Sequence, residues 1–477
     1  MSRSQGITRG TYMVARKYLL TTAVSMALLT GCGGGDDDPK ATGGTATAAA
    51  KPAAKGPAYK GAALPGYGAQ AAWSLDTGGT APGVLDLGGV LLFARDASGA
   101  YLTDASVDGE PADVNTVLYA SDEPEKLTLE FRDARTGAVR RTLPVTAESV
   151  EGVTWKDGAP AVAVGTSATK ESDGLTQEET TTSATFYSTA GKKLGETSGY
   201  AFGHVVGGYV VSADDGGVRL APIGAGAVRT IPCNGDDDAE CAFDPETGVA
   251  SGDQTYAPVI TDGYYPGFEA AGKYDYDPSD VTLNDLATGK QAWSSADAEV
   301  PKGVVLDDEG QPEDRTIRVV RVSDGKALVA WKKSVGLSPT TQVYAWYDLA
   351  SGALTASYEG PEYVVWSADG ELAAEDKGEF ETGFEGTSVW KTADGTRLWA
   401  QEDGETALDP VRFSGNGEVL YGETFDGVST HKTLAVDTQT RKVLAKDLPE
   451  GSIPAVDAAS GYGYLTTEDG FFAFAPA

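Results

Sequence analysis

Phe131-Arg-Asp133-Ala-Arg-Thr-Gly137, Leu283-Asn-Asp285-Leu-Ala-Thr-Gly289 and Trp346-Tyr-Asp348-Leu-Ala-Ser-Gly352 are three copies of one phrase. Each reads as the end of a strand, an Asp, a short polar step, a Gly and the start of another strand. Looser copies lie at Phe186 to Gly191, at Trp390-Lys-Thr-Ala-Asp394-Gly395 and at Val436-Asp437-Thr-Gln-Thr-Arg441. Gly supplies the positive-φ position of such a turn while the Asp, Thr or Ser side chain bonds local backbone. Self-similarity at a period of tens of residues marks a repeat architecture, because a single unit cannot bury its apolar faces and must stack on its neighbours.

From about Ala69 onward no stretch carries helical periodicity. The segments are short, β-branched or aromatic, and punctuated by Gly, Asp-Gly and Asn-Gly: Lys326-Ala-Leu-Val-Ala-Trp331, Gln342-Val-Tyr-Ala-Trp-Tyr347, and Glu418-Val-Leu-Tyr421 after Asn416-Gly417. Several are apolar on both faces, as strands sandwiched between neighbouring sheets must be.

Asp285-Leu-Ala-Thr-Gly289-Lys-Gln-Ala-Trp293 resembles the repeat of the quinoprotein-type, PQQ-like β-propellers, and Gly395-Thr-Arg-Leu-Trp399 keeps the same Gly-to-Trp spacing. The resemblance covers most of residues 69–477 and implies an all-β propeller in which Trp293 and Trp399 dock one blade on the next. Gly352-Ala-Leu-Thr-Ala and Gly137-Ala-Val-Arg-Arg lack the Trp, so smaller side chains are expected to dock those blades. Third strands near Phe131, Phe186, Leu220, Leu283, Trp346, Trp390, Val436 and Phe472 give eight blades. Residues 69–477 divide into about 51 per blade for eight and about 58 for seven, and propeller repeats run roughly 40 to 50, which favours eight over the alternative of seven. Insertions are expected near 100–125, 168–184 and 232–280. The chain ends on a third strand, Gly470-Phe-Phe-Ala-Phe-Ala475, with no fourth, and the folded part opens on Ala71-Ala-Trp73-Ser-Leu-Asp76, a fourth strand with no predecessor. The N-terminal strand should therefore complete the last blade and remove two open edges.

Upstream, Arg9, Arg16 and Lys17 precede the apolar run Tyr18 to Leu29, which is too short to span a bilayer and reads as a secretory signal, residues 1–31. Leu29-Thr30-Gly31-Cys32 resembles the bacterial lipobox, which implies a diacylglyceryl group on Cys32 and an extracytoplasmic protein anchored to the cell membrane. Residues 32–68, rich in Gly, Ala, Thr, Lys and Pro, read as a flexible low-complexity tether, and 69–477 as the propeller.

With 37 basic and 70 acidic residues the chain has a formal charge of −33, which disfavours nucleic acid and anionic lipid head groups as partners. Only His204 and His431 occur, far apart, so a histidine metal site or a Ser-His-Asp triad lacks material. Cys233 and Cys241 bound an eight-residue step that can close as a local disulfide in an oxidising compartment, two free thiols being the alternative. Between them Asn234, Asp236, Asp238 and Glu240 alternate like the opening of a calcium loop, but the twelfth-position Glu of an EF-hand would fall on Pro245 and the Gly of the sixth position is missing. A solvated acidic loop is the competing reading. Asp275, Asp277 and Asp280 beside Tyr274 and Tyr276 form a looser cluster, and Tyr264, Tyr265 and Phe268 place aromatics on the longest insertion.

These residues favour a binding or scaffolding module for a protein or envelope ligand, similar to the propeller lipoprotein of outer-membrane protein assembly. The alternative is a quinoprotein-type oxidoreductase, or another enzyme using the central funnel. Redox quinoproteins of this resemblance hold Ca²⁺ with carboxylates and an amide, and alcohol-oxidising members stack PQQ on vicinal cysteines. Cys233 and Cys241 are not vicinal, so no PQQ is expected.

Overall fold

The computed structural model describes residues 56–477 except 104–116, 122, 171–178, 199–204, 215–216, 233–241, 245–248, 252–262, 271–278, 309, 313–316, 334–341, 362, 377–385, 403, 426–430 and 450. It is an eight-bladed β-propeller. Among the described residues the only helical element is the single 3₁₀ turn Lys156–Gly158.

Each blade is an antiparallel meander running outward from the axis. Blade 1 holds Leu85–Asp86, Val90–Arg95, Glu125–Asp133 and Val139–Ala147. Blade 2 holds Ser149–Thr154, Pro160–Lys170, Glu179–Ser188 and Lys193–Ser198, and blade 3 Val205–Val206, Tyr209–Asp214, Gly217–Pro222 and Arg229–Pro232. Blade 4 shows three strands among the described residues: Tyr264–Ala270, Ser279–Asp285 and Gln291–Ser294. Blades 5 and 6 hold Ile317–Ser323, Lys326–Lys332, Gln342–Asp348 and Leu354–Gly360, then Tyr363–Trp366, Leu372–Asp376, Thr387–Lys391 and Arg397–Ala400. Blade 7 holds Leu408–Phe413, Val419–Phe425, His431–Asp437 and Val443–Leu448.

Blade 8 is built from both ends of the chain. Ala455–Val456, Gly463–Thr467 and Gly470–Phe474 are completed by Trp73–Leu75, with Trp73 opposite Ala473 and Leu75 opposite Phe471. The pairing continues outside the strand, through Gly68 N–H to Ala475 O at 2.9 Å and Ala477 N–H to Gly66 O at 3.0 Å.

Among the described residues, clusters of buried side chains bridge seven of the eight seams, and Tyr209 and Arg229 bond to Leu286 O across the blade 3–4 seam. Phe93 of blade 1 meets Trp73 and Phe471 of blade 8; Leu129 and Phe131 of blade 1 pack with Val150 and Val162 of blade 2. Phe186 packs with Val205 and Ile223 between blades 2 and 3. Further round, Trp293 joins Val319 and Tyr347, Tyr344 joins Tyr363, Val389 joins Leu420, and Tyr421 joins Phe472. Strands covered on both faces explain the continuous apolar runs in the sequence.

Four expectations need correction. The packed part begins before residue 69: Leu64 and Tyr67 are buried, Tyr421 donates its hydroxyl to Pro65 O at 2.5 Å, and the Tyr59 ring lies against Phe472 and Phe474 at 5.2 and 5.0 Å. Residues 56–68 thus form a strap wedged between blades 7 and 8. Tyr264 and Tyr265 lie in the paired strand Tyr264–Ala270 of blade 4 and not in an insertion loop. Much of 168–184 is the extended hairpin Pro160–Lys170 with Glu179–Ser188. The insertion near 100–125 carries a strand of its own, Val117–Tyr119, which adds to the axial edge of blade 2, with Leu118 opposite Val150.

Candidate functional site: two unlike faces of the ring

An antiparallel meander sends its first-to-second and third-to-fourth turns to one end and its remaining connections to the other. On the first end, the turn face, all described connections are short. The Asp phrase makes most of the third-to-fourth turns. In Asp285-Leu-Ala-Thr-Gly289 the carboxylate Oδ1 accepts from Thr288 N–H at 2.5 Å and from its hydroxyl at 2.6 Å, and Gly289 N–H returns to Asp285 O at 2.7 Å. Asp348 with Ser351 and Asp437 with Thr440 repeat this geometry at 2.7 to 2.8 Å. These hydroxyl bonds hold Asp285, Asp348 and Asp437 below the ordinary carboxylate range, and Thr396 does the same for Asp394. At Asp133 partial burial pushes upward, but bonds from Arg140 and Thr136 outweigh it and the net shift is downward.

The residue after the turn Asp ties the ring together in two directions. Its N–H reaches the inner turn of its own blade: Leu286 to Gly263 O at 2.7 Å, Leu349 to Gly325 O at 2.9 Å, Thr438 to Glu418 O at 3.0 Å. Its carbonyl accepts from the preceding blade. Trp73 Nε1 donates to Ala134 O at 2.8 Å and Trp399 Nε1 to Thr438 O at 2.9 Å, while Arg229 spans Leu286 O and, at 2.6 Å, Ala287 O. Trp293 instead sets its ring 5.0 Å from that of Tyr347 on blade 5. Where the Trp is missing, bulky residues and not small ones make the contact. Tyr358 lies against Gly395 and Arg141 against Gly191.

The strand ends on the opposite side, the insertion face, are those that the second-to-third segments 96–124, 171–178, 333–341, 377–386 and 426–430 join in sequence, most of which lie outside the described residues. Segment 96–124 carries Asp96, Asp104, Asp108, Glu110, Asp113, Asp122 and Glu123 and no Lys or Arg; 171–178 and 426–430 likewise hold acids and no base. Segment 377–386 sets Glu379, Glu381 and Glu385 against Lys377. The blade 4-to-5 connection adds exposed Asp297, Glu299, Asp307 and Asp308 on the same side. On the turn face the carboxylates are partly offset by Arg135 of blade 1, Lys156 and Lys192 of blade 2, and Lys290, Lys326, Lys391 and Lys442 of blades 4 to 7. In sequence, the larger excess of carboxylates thus belongs to the segments that join strand ends on the insertion side.

Cys32, Cys233, Cys241, Asn234, Asp236, Asp238, Glu240, His204, Asp275 and Asp277 lie outside the described residues. His431 is in the third strand of blade 7 and Asp280 in the second described strand of blade 4. Among the described residues no three His, Cys, Asp or Glu side chains come together as a metal-holding group, and no helix is long and apolar enough to cross a membrane.

No protein-family model matches the chain, and no curated sequence does. Among solved structures it is similar to the β-propeller domain of Cps50 (Swd1) from Myceliophteria thermophila, at 12% identity over 67% of this chain and 95% of that one, TM-score 0.27. It is also similar to a chain of the mitotic checkpoint complex, at 10% identity over 91% of this chain and 98% of that one, TM-score 0.30. Likenesses of this size carry no argument about activity or partner.

Proposed function

We propose that this protein is a binding propeller, held outside the cytoplasm by lipid on Cys32, whose insertion face docks a partner bearing Lys and Arg. The observation that carries the reading is the division of labour between the two ends of the ring. The strand ends on one side are joined in sequence by long segments, most of them with an excess of carboxylates, while those on the other side are joined by short turns in which Lys and Arg offset much of the acid. Binding residues concentrate on long loops presented by a rigid scaffold, and a one-signed field favours a partner of opposite sign.

The strap bears on the orientation. Ser74 Oγ donates to Pro57 O at 2.7 Å, and Pro57 lies beside Gly470, in the second-to-third hairpin of blade 8. The segment that links Cys32 to the ring therefore joins it at the rim of the insertion face.

Cross-linking in the native envelope, with the linked peptides mapped, tests the docking surface. Links to a basic partner should fall in the insertion segments and weaken with added salt; links confined to the turn face would sink the reading. Fractionation tests the anchor separately. A Cys32→Ala variant should leave the membrane fraction, and one that stays there removes the lipid from the account.

A further inference from the structure

The seam where blade 8 meets blade 1 is the one made by the two ends of the chain, and its inner part is held by carboxylates. Asp457, wholly buried, follows the first strand of blade 8 and sits in a turn of the familiar form, Asp457-Ala-Ala-Ser-Gly461. Its Oδ1 accepts from Gly89 N–H of blade 1 at 3.0 Å, and its Oδ2 takes the Ser460 hydroxyl at 2.6 Å. From the other side, Asp86 of blade 1 receives the hydroxyl of buried Tyr464 of blade 8 at 3.3 Å, with Gly88 N–H on its other oxygen at 2.9 Å. Two carboxyl groups thus cross one seam in opposite directions. Arg412 of blade 7 is the nearby cation, and its guanidinium donates to Pro454 O at 3.2 Å.

We propose that Asp86 and Asp457 form a proton-sensitive latch on the ring-closing seam, shut while Asp86 keeps its proton and loosened when Asp86 ionises. Asp86 is half-buried and Asp457 wholly so, and two carboxylates at one seam resist joint ionisation. Burial first, and the charge of Asp457 second, push Asp86 up to about 7, against the pull of the Gly88 and Tyr464 bonds. The sign follows from linkage. An open seam returns Asp86 to its ordinary acidity, near 3.8, so between about pH 4 and pH 7 the closed seam binds a proton that the open one releases to water. Closure therefore weakens as pH rises through that window and levels off above it. This inference stands apart from the identity of any partner.

Hydrogen exchange read by mass spectrometry tests it, with wild type and Asp86→Asn compared at matched pH from 4.5 to 8 so that intrinsic amide chemistry cancels. In peptides spanning 73–75, 85–92 and 463–474, the ratio of wild-type to variant exchange should climb by up to about tenfold per pH unit, the factor set by one proton, and flatten near pH 7. Tyr464→Phe removes a bond that favours the charged carboxylate, so its plateau should begin at higher pH. It also keeps the test alive if Asp86→Asn fails to fold. A flat ratio overturns the latch, and so does an equal climb in the 283–293 peptides of the distant blade 4–5 seam.

Discussion

Gly137 and Gly352 occupy the same place in the same turn, with φ of 67° and 72°, yet their surroundings differ. A Cβ on Gly137 would meet the Trp73 indole at 2.4 Å, whereas one on Gly352 would meet nothing within 4 Å. Gly352→Ala should cost only the left-handed backbone penalty, about 1 to 2 kcal/mol. Gly137→Ala should add an overpacking cost of roughly 1 to 3 kcal/mol and loosen the blade 8–1 seam. Urea titration of the two variants checks the order, and equal losses would show that Trp73 yields freely. Blade 7 reaches the same turn with Arg441 at φ 59°, its guanidinium bonded to Ala400 O and Glu405 at 2.7 and 2.9 Å. The turn aspartates bring an acid limit. Their carboxyls titrate lower in the folded than in the unfolded chain, so the stability they lend is present above about pH 4 and lost as pH falls further. An Asp285→Asn variant should therefore lose less stability than wild type between pH 5 and pH 2.5. At this scale the sequence disclosed the turn chemistry, because a turn is local. It did not disclose Tyr358, Arg141 and Arg229 as docking residues, since their roles depend on which turn of the next blade lies opposite.

The strands were legible where apolar runs and Gly punctuation agree: seven of the eight third-strand positions fall in third strands, and Leu283 falls in the middle one of the three described strands of blade 4. The strap was not. Tyr59, Leu64 and Tyr67 are scattered among Gly, Ala and Pro with no period to betray them, and only the aromatic wall of Phe472 and Phe474 gives them a place to pack. Burying Leu64 and Tyr67 contributes roughly 1.5 to 3 kcal/mol each. A chain beginning at residue 56 should melt with the full mature protein, while one beginning at residue 69 should melt several degrees lower. Identical melting of the two would reduce the strap to a passenger. The Val117–Tyr119 strand escaped notice for a different reason. Three residues are too few for a pattern, and its partner is the edge of another blade.

For the ring as a whole, closure was readable because each end of the sequence lacked what the other supplied. The charge division was not, since acidic residues are spread along the chain and only the alternation of strand direction shows that 96–124, 171–178 and 377–386 all leave from strand ends on one side. The carboxyls at the closing seam were likewise hidden: Asp86 and Asp457 stand far apart in the chain, and each finds its partner on the other blade only when the circle is complete.

The strap also sets how the molecule would bear a pull. Residue 56 enters at the rim, the chain then descends between two blades to Tyr67, and it doubles back as the edge strand at Trp73. Tension applied upstream would first have to draw the tyrosine and leucine wedge out of its slot, in shear, before the hydrogen bonds of Trp73–Leu75 could be unzipped one by one. An attachment point placed directly at residue 69 would offer no such buffer, and the circle would open from its weakest link.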